Sequence, residues 1–273
     1  MEKRLARQSF LGPDSPRILS MTRLAIVGLG GGGSHVTQQA AHIGVGDFLL
    51  LDPDHVEDTN LNRMVGATLH DVRLGTAKVL VMERMIKAIN PQARVRAIPE
   101  MWQKRAELLR DRDVIFGCLD SFSERDQLER MARRYLIPYI DIGMDVCEVE
   151  DGFSIGGQTV LSMPEGLCLR CYGIVTDKRL ALEAEGYGAA GHRPQVVWAN
   201  GVLASTAIGI FVQMLCPWRD RRLAGILREF DGESHVVTTS NRLSYLASTQ
   251  CPHFSDLSAV GDPFWTPEYT CCG

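Results

Sequence analysis

A short apolar run, Arg23 to Val27, gives way to Gly28, Leu29 and then four glycines in a row, Gly30 to Gly33; small residues continue from Ser34 to Ile43. The apolar run reads as a buried strand, the glycines as a tight loop and the segment after them as a helix. Without a Cβ the backbone turns sharply and comes close to a bound group, while the first amides of the helix aim their N–H groups at it. A phosphate is the ligand such a corner suits. The loop alone does not separate ATP from a nicotinamide or flavin dinucleotide, because all of them present phosphates and adenosine.

The pattern repeats along the first half of the chain. Asp47 to Asp52 is a second apolar run ending in a carboxylate. From Thr76 to Asn90, Val79, Met82, Met85, Ile86 and Ile89 follow helical spacing, and Asn90-Pro91 stops the helix. Strands are expected at Arg94 to Ile98, at Asp113 to Cys118 just before Asp120, and at Tyr139 to Ile142, with a helix from Ser123 to Tyr135 before the last. Strands alternating with helices predict a Rossmann-like α/β fold, a mostly parallel sheet with helices on both faces. Ligands bind beyond the carboxyl ends of such strands, so the glycine loop, Asp52 and Asp120 should converge there. After Asp145 the pattern changes to glycine-rich antiparallel strand material, Gly152 to Met163, followed by a loop with Cys168 and Cys171. The chain has 273 residues, 45% of them hydrophobic, enough for one large core and hence a single domain.

Twenty-nine Lys plus Arg against thirty-three Asp plus Glu give a formal charge of −4, so there is no overall basic field to gather nucleic acid. Short basic clusters at Arg133-Arg134 and Arg219 to Arg222 read as solvated helix ends or loops. Met1 to Phe10 carries charges and lacks the apolar core of a secretory signal, which predicts a cytoplasmic location with reduced thiols. The eight cysteines are then small hydrophobes, metal ligands or reactive thiols. Gln195 to Trp218 contains no Lys, Arg, Asp or Glu and is long enough to span a bilayer. Its Gln195, Asn200, Ser205, Thr206 and Gln213, with Gly201 and Gly209, suit a helix packed inside a protein better, so no membrane is expected.

Asp52 at the end of the second strand suits ribose hydroxyls. The stretch that follows, Asp54 through Thr59, Asn60, Leu61, Asn62 and Arg63, with Lys78 opening the next helix, brings two cations and amide side chains towards the phosphate end of a nucleotide. A dehydrogenase needs a hydride path at that place, whereas phosphoryl or nucleotidyl transfer needs cations against developing charge. Taken singly, Arg63 and Lys78 also fit ordinary surface ion pairs.

In order along the chain stand Arg4, Arg7 and Gln8; Gly28, Gly30, Gly31, Gly33 and Ser34; Asp52 and Asp54; Thr59 to Arg63; Lys78; Asn90-Pro91; Asp120, Ser121, Phe122 and Arg125; Cys168 and Cys171; and the Cys251 segment. This series resembles the ThiF/MoeB/HesA group and the adenylation domains of ubiquitin-activating enzymes over nearly the whole chain. The resemblance implies an N-terminal arm over 1–22, a nucleotide-binding half over 23–145 and a crossover, zinc and modifier-binding half over 146–273. It implies ATP phosphates along Gly28, Gly30, Gly31 and Gly33, ribose at Asp52 with Asp54 beside it, and the triphosphate at Asn60, Asn62, Arg63 and Lys78. Asp120 would hold Mg²⁺ and orient the α-phosphate, with Ser121 and Arg125 close by. Arg7 resembles the arginine that reaches into the other subunit's site, implying a homodimer. The implied chemistry is attack by a protein's terminal carboxylate on the α-phosphorus, expelling pyrophosphate, with no protein nucleophile or general base.

The chain departs from the family in three places. Ser121 stands where the family has asparagine after the aspartate, and two extra residues separate Arg63 from Lys78, both of which argue against a plain molybdopterin or thiamin enzyme. Cys168-x-x-Cys171 has zinc-binding spacing, but no second Cys-x-x-Cys follows. Structural zinc on Cys168, Cys171 and Cys251 is expected, with His253, or else Cys271 or Cys272, as fourth ligand. The crossover, Tyr172 to Pro194, carries no cysteine for a thioester. Cys118 and Cys147 are expected to be buried in or beside the sheet, and Cys216 is the best internal candidate, with the Cys271-Cys272 pair as an alternative.

The segment from Tyr187 through Arg193, Pro194, Gln195, Trp198 and Asn200 resembles bacterial stand-alone members of the group. These occur beside ubiquitin-like proteins, conjugating enzymes and isopeptidases, including in antiphage operons. The leading expectation is activation of a ubiquitin-like protein for conjugation; the alternatives are a sulfur-carrier protein, a small carboxylate, a nucleotide-binding scaffold without turnover, or a dehydrogenase.

Overall fold

The computed structural model describes residues 3–185, 194–216, 218, 223, 226–246 and 251–254. Its strands are β1 (Arg23–Val27), β2 (Asp47–Leu51), β3 (Arg94–Ile98), β4 (Val114–Gly117), β5 (Tyr139–Val149), β6 (Gly152–Ser162), β7 (Ile226–Asp231) and β8 (Val236–Thr239). They form one sheet in the order β3-β2-β1-β4-β5-β6-β7-β8. Neighbours from β3 to β5 run parallel, and from β5 to β8 antiparallel. The predicted parallel half is thus present, and the antiparallel half continues from it.

Alternation along each strand splits the core in two. Leu24, Ile26, Phe48, Leu50, Val114 and Phe116 face one layer; Ala25, Val27, Leu49, Leu51 and Ile115 face the other. The first layer is closed by α1 (Ser15–Met21), α2 (Gly31–Ile43), α4 (Lys78–Ile89) and α7 (Val197–Leu215). The second is closed by α5 (Phe122–Arg134), the 3-10 segment Trp102–Leu109 and the loop holding Leu169, Tyr172, Ile174 and Val175. The short helices α3 (Leu69–Leu74), α6 (Asp177–Ala184) and α8 (Arg242–Leu246), with the 3-10 segments Lys3–Leu11 and Asp58–Asn60, complete the described elements.

Helix α7 is long and apolar enough to cross a membrane, with mean hydropathy 1.4, and it is the one described helix that is. It packs against α2 and the antiparallel strands and buries Ala199, Asn200, Leu203, Ala204, Ala207 and Phe211, as expected of a core helix.

Several local expectations need correction. Helix α2 begins at Gly31 rather than Ser34, inside the glycine run. Strand β5 runs on to Val149 because its far half pairs with β6 all the way to Gly152. Arg133 is buried, not a solvated helix end, because carbonyls of the Cys168 loop receive its guanidinium. Arg219 to Arg222 lie outside the described residues.

Candidate active site

Strand β1 has β2 on one side and β4 on the other, so the chain leaves it in one direction and later returns in the other. A crevice opens at that switch point, beyond the carboxyl ends of the strands. It forms a cleft of about 400 Å³ lined by Gly28, Gly30, Gly31, Gly32, Asp52, Asp54, Arg63, Lys78, Cys118, Asp120, Phe122, Glu124, Arg125, Asp145, Gln158, Arg179 and Asn200, among others.

The glycine corner is shaped by close approach. Gly28 has φ +85°, and a Cβ there would lie 2.5 Å from the Cys118 carbonyl oxygen. A Cβ on Gly33 would lie 1.9 Å from the Gly28 oxygen, so Gly33 serves loop-to-helix packing and is not itself in the cleft wall. Helix α2 starts with no side-chain cap at Gly30, leaving its first amides facing the cleft.

Asp52 is 5% exposed and accepts from the Leu29 amide at 2.6 Å and the Asp54 amide at 2.9 Å. Its carboxylate therefore fixes the loop as well as facing the site. Burial raises its pKa, and Lys78 and the two amides pull it back down. Lys78 is largely enclosed and donates to Asp54 Oδ2 at 2.8 Å. Asp54 is 63% exposed, which leaves this pair free to exchange partners for a ligand. Arg63 is half-buried and donates to the Thr59 carbonyl and to Asn62 Oδ1 at 3.1 Å.

Asn60 and Asn62 do not line the cleft. Asn60 is buried and accepts from the Glu57 amide at 3.0 Å, shaping the turn that carries Arg63; Asn62 donates to the Gln195 carbonyl at 3.3 Å. Ser121 is the N-cap of α5, its Oγ accepting from the Glu124 amide at 3.2 Å. Arg125 reaches the cleft only as its floor: it is 3% exposed and fork-bonded to the fully buried Asp141, which also accepts from the Tyr139 hydroxyl at 3.0 Å. Arg7 is exposed on the 3-10 segment Lys3–Leu11 and does not line this cleft.

Sequence reasoning missed several cleft residues. Asp145 and Gln158 come from the β5–β6 extension, Arg179 from α6, and Asn200 from α7, where its side chain lies against Gly31. Glu183 of α6 takes the first two amides of α5, Phe122 at 3.1 Å and Ser123 at 2.9 Å. For Arg179 and Glu183 the missing signal was a helix in the crossover, and Thr176, which caps α6, was the available clue.

At the other end of α5 a second cluster forms. The Sγ atoms of Cys168 and Cys171 lie 3.5 Å apart, Cys171 and Cys251 3.5 Å, and His253 Nδ1 is 3.4 Å from both Cys168 and Cys171. All four donor atoms fall within 4.8 Å of one another. A tetrahedral ion with Zn–S about 2.3 Å and Zn–N about 2.0 Å sets its donors roughly 3.5–3.8 Å apart, so three thiolates and an imidazole in this arrangement fit zinc. Burial pushes the Cys168 and Cys171 thiols up, a cost that a divalent cation reverses. Cys271 and Cys272 lie outside the described residues.

The cysteine expectations need correction too. Cys147 is exposed, not buried, because it sits where β5 projects beyond the core. Cys216 is buried and desolvation raises its thiol, which removes the reason to favour it. Cys118 is half-buried in the cleft wall and burial raises its thiol as well.

The chain is 35% identical over 130 residues to a molybdopterin-synthase adenylyltransferase of Haemophilus influenzae, covering 46% of this chain and 52% of that protein. It is 29% identical over 163 residues to the SAMP-activating enzyme E1 of Haloferax volcanii, covering 59% and 57%. It thus spans about half the length of these curated relatives. Among solved structures, Escherichia coli MccB with ATP superposes at TM-score 0.69 with 21% identity, covering 89% of this chain and 72% of that one, which shows the shared fold. The sequence profile of the ThiF family matches residues 2–253, nearly the full chain, and the chain belongs to that family.

Proposed function

We propose that this chain is an ATP-dependent adenylyltransferase that joins AMP to the C-terminal carboxylate of a ubiquitin-like protein, the activating step of a conjugation pathway. The observation that carries the reading is convergence: the uncapped start of α2, Lys78, Arg63 and Asp120 come from three different loops into one cleft. A dehydrogenase has no use for that set.

In this reading the α2 amides, Lys78 and Arg63 hold the phosphates and offset the charge that builds on pyrophosphate as it leaves. Lys78 exchanges Asp54 for phosphate oxygens on binding. Asp52 keeps the glycine loop in place while accepting from ribose hydroxyls. Asp120 is the carboxylate that would hold Mg²⁺, which when bound supplies charge neutralisation at the α-phosphate. The terminal carboxylate is already a nucleophile, so the protein's task is alignment and no general base is needed. Arg7 acts across a homodimer, completing the partner subunit's cleft. Zinc on Cys168, Cys171, Cys251 and His253 is structural, and a reducing cytoplasm suits it.

Among the described cysteines the exposed one is Cys147, whose thiol is raised by desolvation and by Asp145, so it is poorly set to trap an acyl group. The acyl-adenylate therefore passes directly to a thiol of a conjugating enzyme. An antiphage setting fits this reading. A second reading, adenylation of a sulfur-carrier protein or small carboxylate, draws support from relatives named molybdopterin-synthase adenylyltransferase and sulfur carrier protein adenylyltransferase. ATP–pyrophosphate exchange decides between them. Exchange that needs an added ubiquitin-like protein with a free C-terminus is expected; exchange driven by a sulfur carrier alone, or by a metabolite, would overturn the first reading.

A further inference from the structure

We propose that Arg179 is a further nucleotide-binding residue, a cation that α6 delivers within the same chain to the phosphates on the β4 side of the cleft. The inference rests on the adenylation reading and adds a residue to its site.

Charge placement carries it. Arg63 and Lys78 follow β2, two strands and so about 10 Å across the sheet from the loop that follows β4. On that far side the cleft wall presents Asp120, Glu124 and Asp145. Burial and the neighbouring Asp120, Glu183 and Asp52 already raise the Glu124 carboxyl. A polyphosphate reaching there meets repulsion unless cations offset it. Among the described residues lining that side, the cations are Arg125 and Arg179, and Arg125 is committed to buried Asp141.

Arg179 is held in a fixed pose. Its Nη1 donates to the carbonyls of Gly173 at 3.1 Å and Ile174 at 2.6 Å, and its guanidinium lies 5.1 Å from the centre of the Phe122 ring. Glu183, four residues on and so on the same face of α6, caps the first amides of α5. Helix α6 buries no side chain fully, so these contacts serve placement rather than core packing. A pre-set guanidinium suits phosphate oxygens because little order is lost on binding.

The test is calorimetric titration of adenosine, AMP, ADP and ATP with Mg²⁺ into the wild type and Arg179→Ala, Arg179→Lys and Glu183→Gln variants. Arg179→Ala should weaken ATP binding about tenfold or more while leaving adenosine unchanged, since a hydrogen bond to a charged group is worth roughly that factor. The first nucleotide in the series to show the loss identifies the phosphate contacted. Arg179→Lys should recover part of it, and Glu183→Gln should show a smaller loss of the same kind. Wild-type ATP affinity in Arg179→Ala, or equal losses for ATP and adenosine, would overturn the role of Arg179 alone. Failure of the wild type to bind ATP would overturn the adenylation reading and this inference together.

Discussion

Helix α5 meets two very different surroundings at its two ends. Its first turn, with Ser121, Phe122, Glu124 and Arg125, borders the open cleft, where carboxylates gather and Glu124 is raised by burial and by its acidic neighbours. Its last turns carry Asp126, Glu129 and Arg133 into the Cys168 loop. There Glu129 accepts from Ser162 Oγ at 2.5 Å and the Leu169 amide at 3.0 Å, and Arg133 donates to the carbonyls of Pro164, Gly166 and Leu167. Arg170 adds a bond to Asp126 at 2.8 Å, and Phe254 lies under the Arg133 guanidinium. The charged groups at this end close on one another and serve the fold, whereas Asp120 and Glu124 at the cleft end line the volume that the proposed nucleotide would fill.

Substitutions at the two ends should therefore differ in kind. At the cleft end, Asp120→Ala should lower pyrophosphate exchange by roughly 100-fold or more, in the range of removing a charge-stabilising group, with the melting temperature hardly moved. A parallel collapse of the melting temperature would erase the contrast. At the Cys168-loop end, Glu129→Ala removes the carboxylate paired with the buried Arg133 guanidinium and should cost about 3–5 kcal/mol in denaturant unfolding. Adding a chelator to zinc-loaded protein should act in the same direction, seen as loss of thermal stability. A variant as stable as the wild type would show that the network is not structural.

Smaller effects sharpen the contrast. Lys78→Ala should weaken ATP binding about tenfold while costing little stability, because its partner Asp54 is exposed and solvates on its own. Glu124 gives a pH signature for the cleft end. Its folded pKa lies above the ordinary 4.5, so the folded state binds this proton more tightly than the unfolded chain does. Its stabilising contribution is present below 4.5, declines as pH rises to the folded value and is flat above it. Glu124→Gln should remove that slope from urea denaturation measured across the acid range; an unchanged slope would contradict the assignment.

The parallel half was legible because β1, β2 and β4 are built on unbroken apolar runs followed by glycine or carboxylate, and β3, though it carries Arg94 and Arg96, follows the Asn90-Pro91 helix stop. Arg94 to Ile98 matches β3 residue for residue. Strands β7 and β8 escaped because Arg228 and Glu229 interrupt the first and the second is four residues with no core face of its own. The gathering of Cys168, Cys171, Cys251 and His253 was readable, since thiol spacing and a nearby imidazole are local signals. The commitment of Arg125 to Asp141 was not, because an ion pair between a helix and the next strand leaves no periodic trace. The same holds for Arg179 and Glu183, whose meaning depends on α6 folding back over α5. Cys147 was misjudged because the β5 extension carries it past the core that a strand residue normally shares.

Transfer of label from [α-³²P]ATP to a ubiquitin-like protein tests the central claim most directly. Hydroxylamine- and alkali-labile AMP on that protein is predicted, dependent on its free terminal carboxylate and lost with Asp120→Ala. Label that survives amidation of that terminus, or that appears on a metabolite instead, would contradict it.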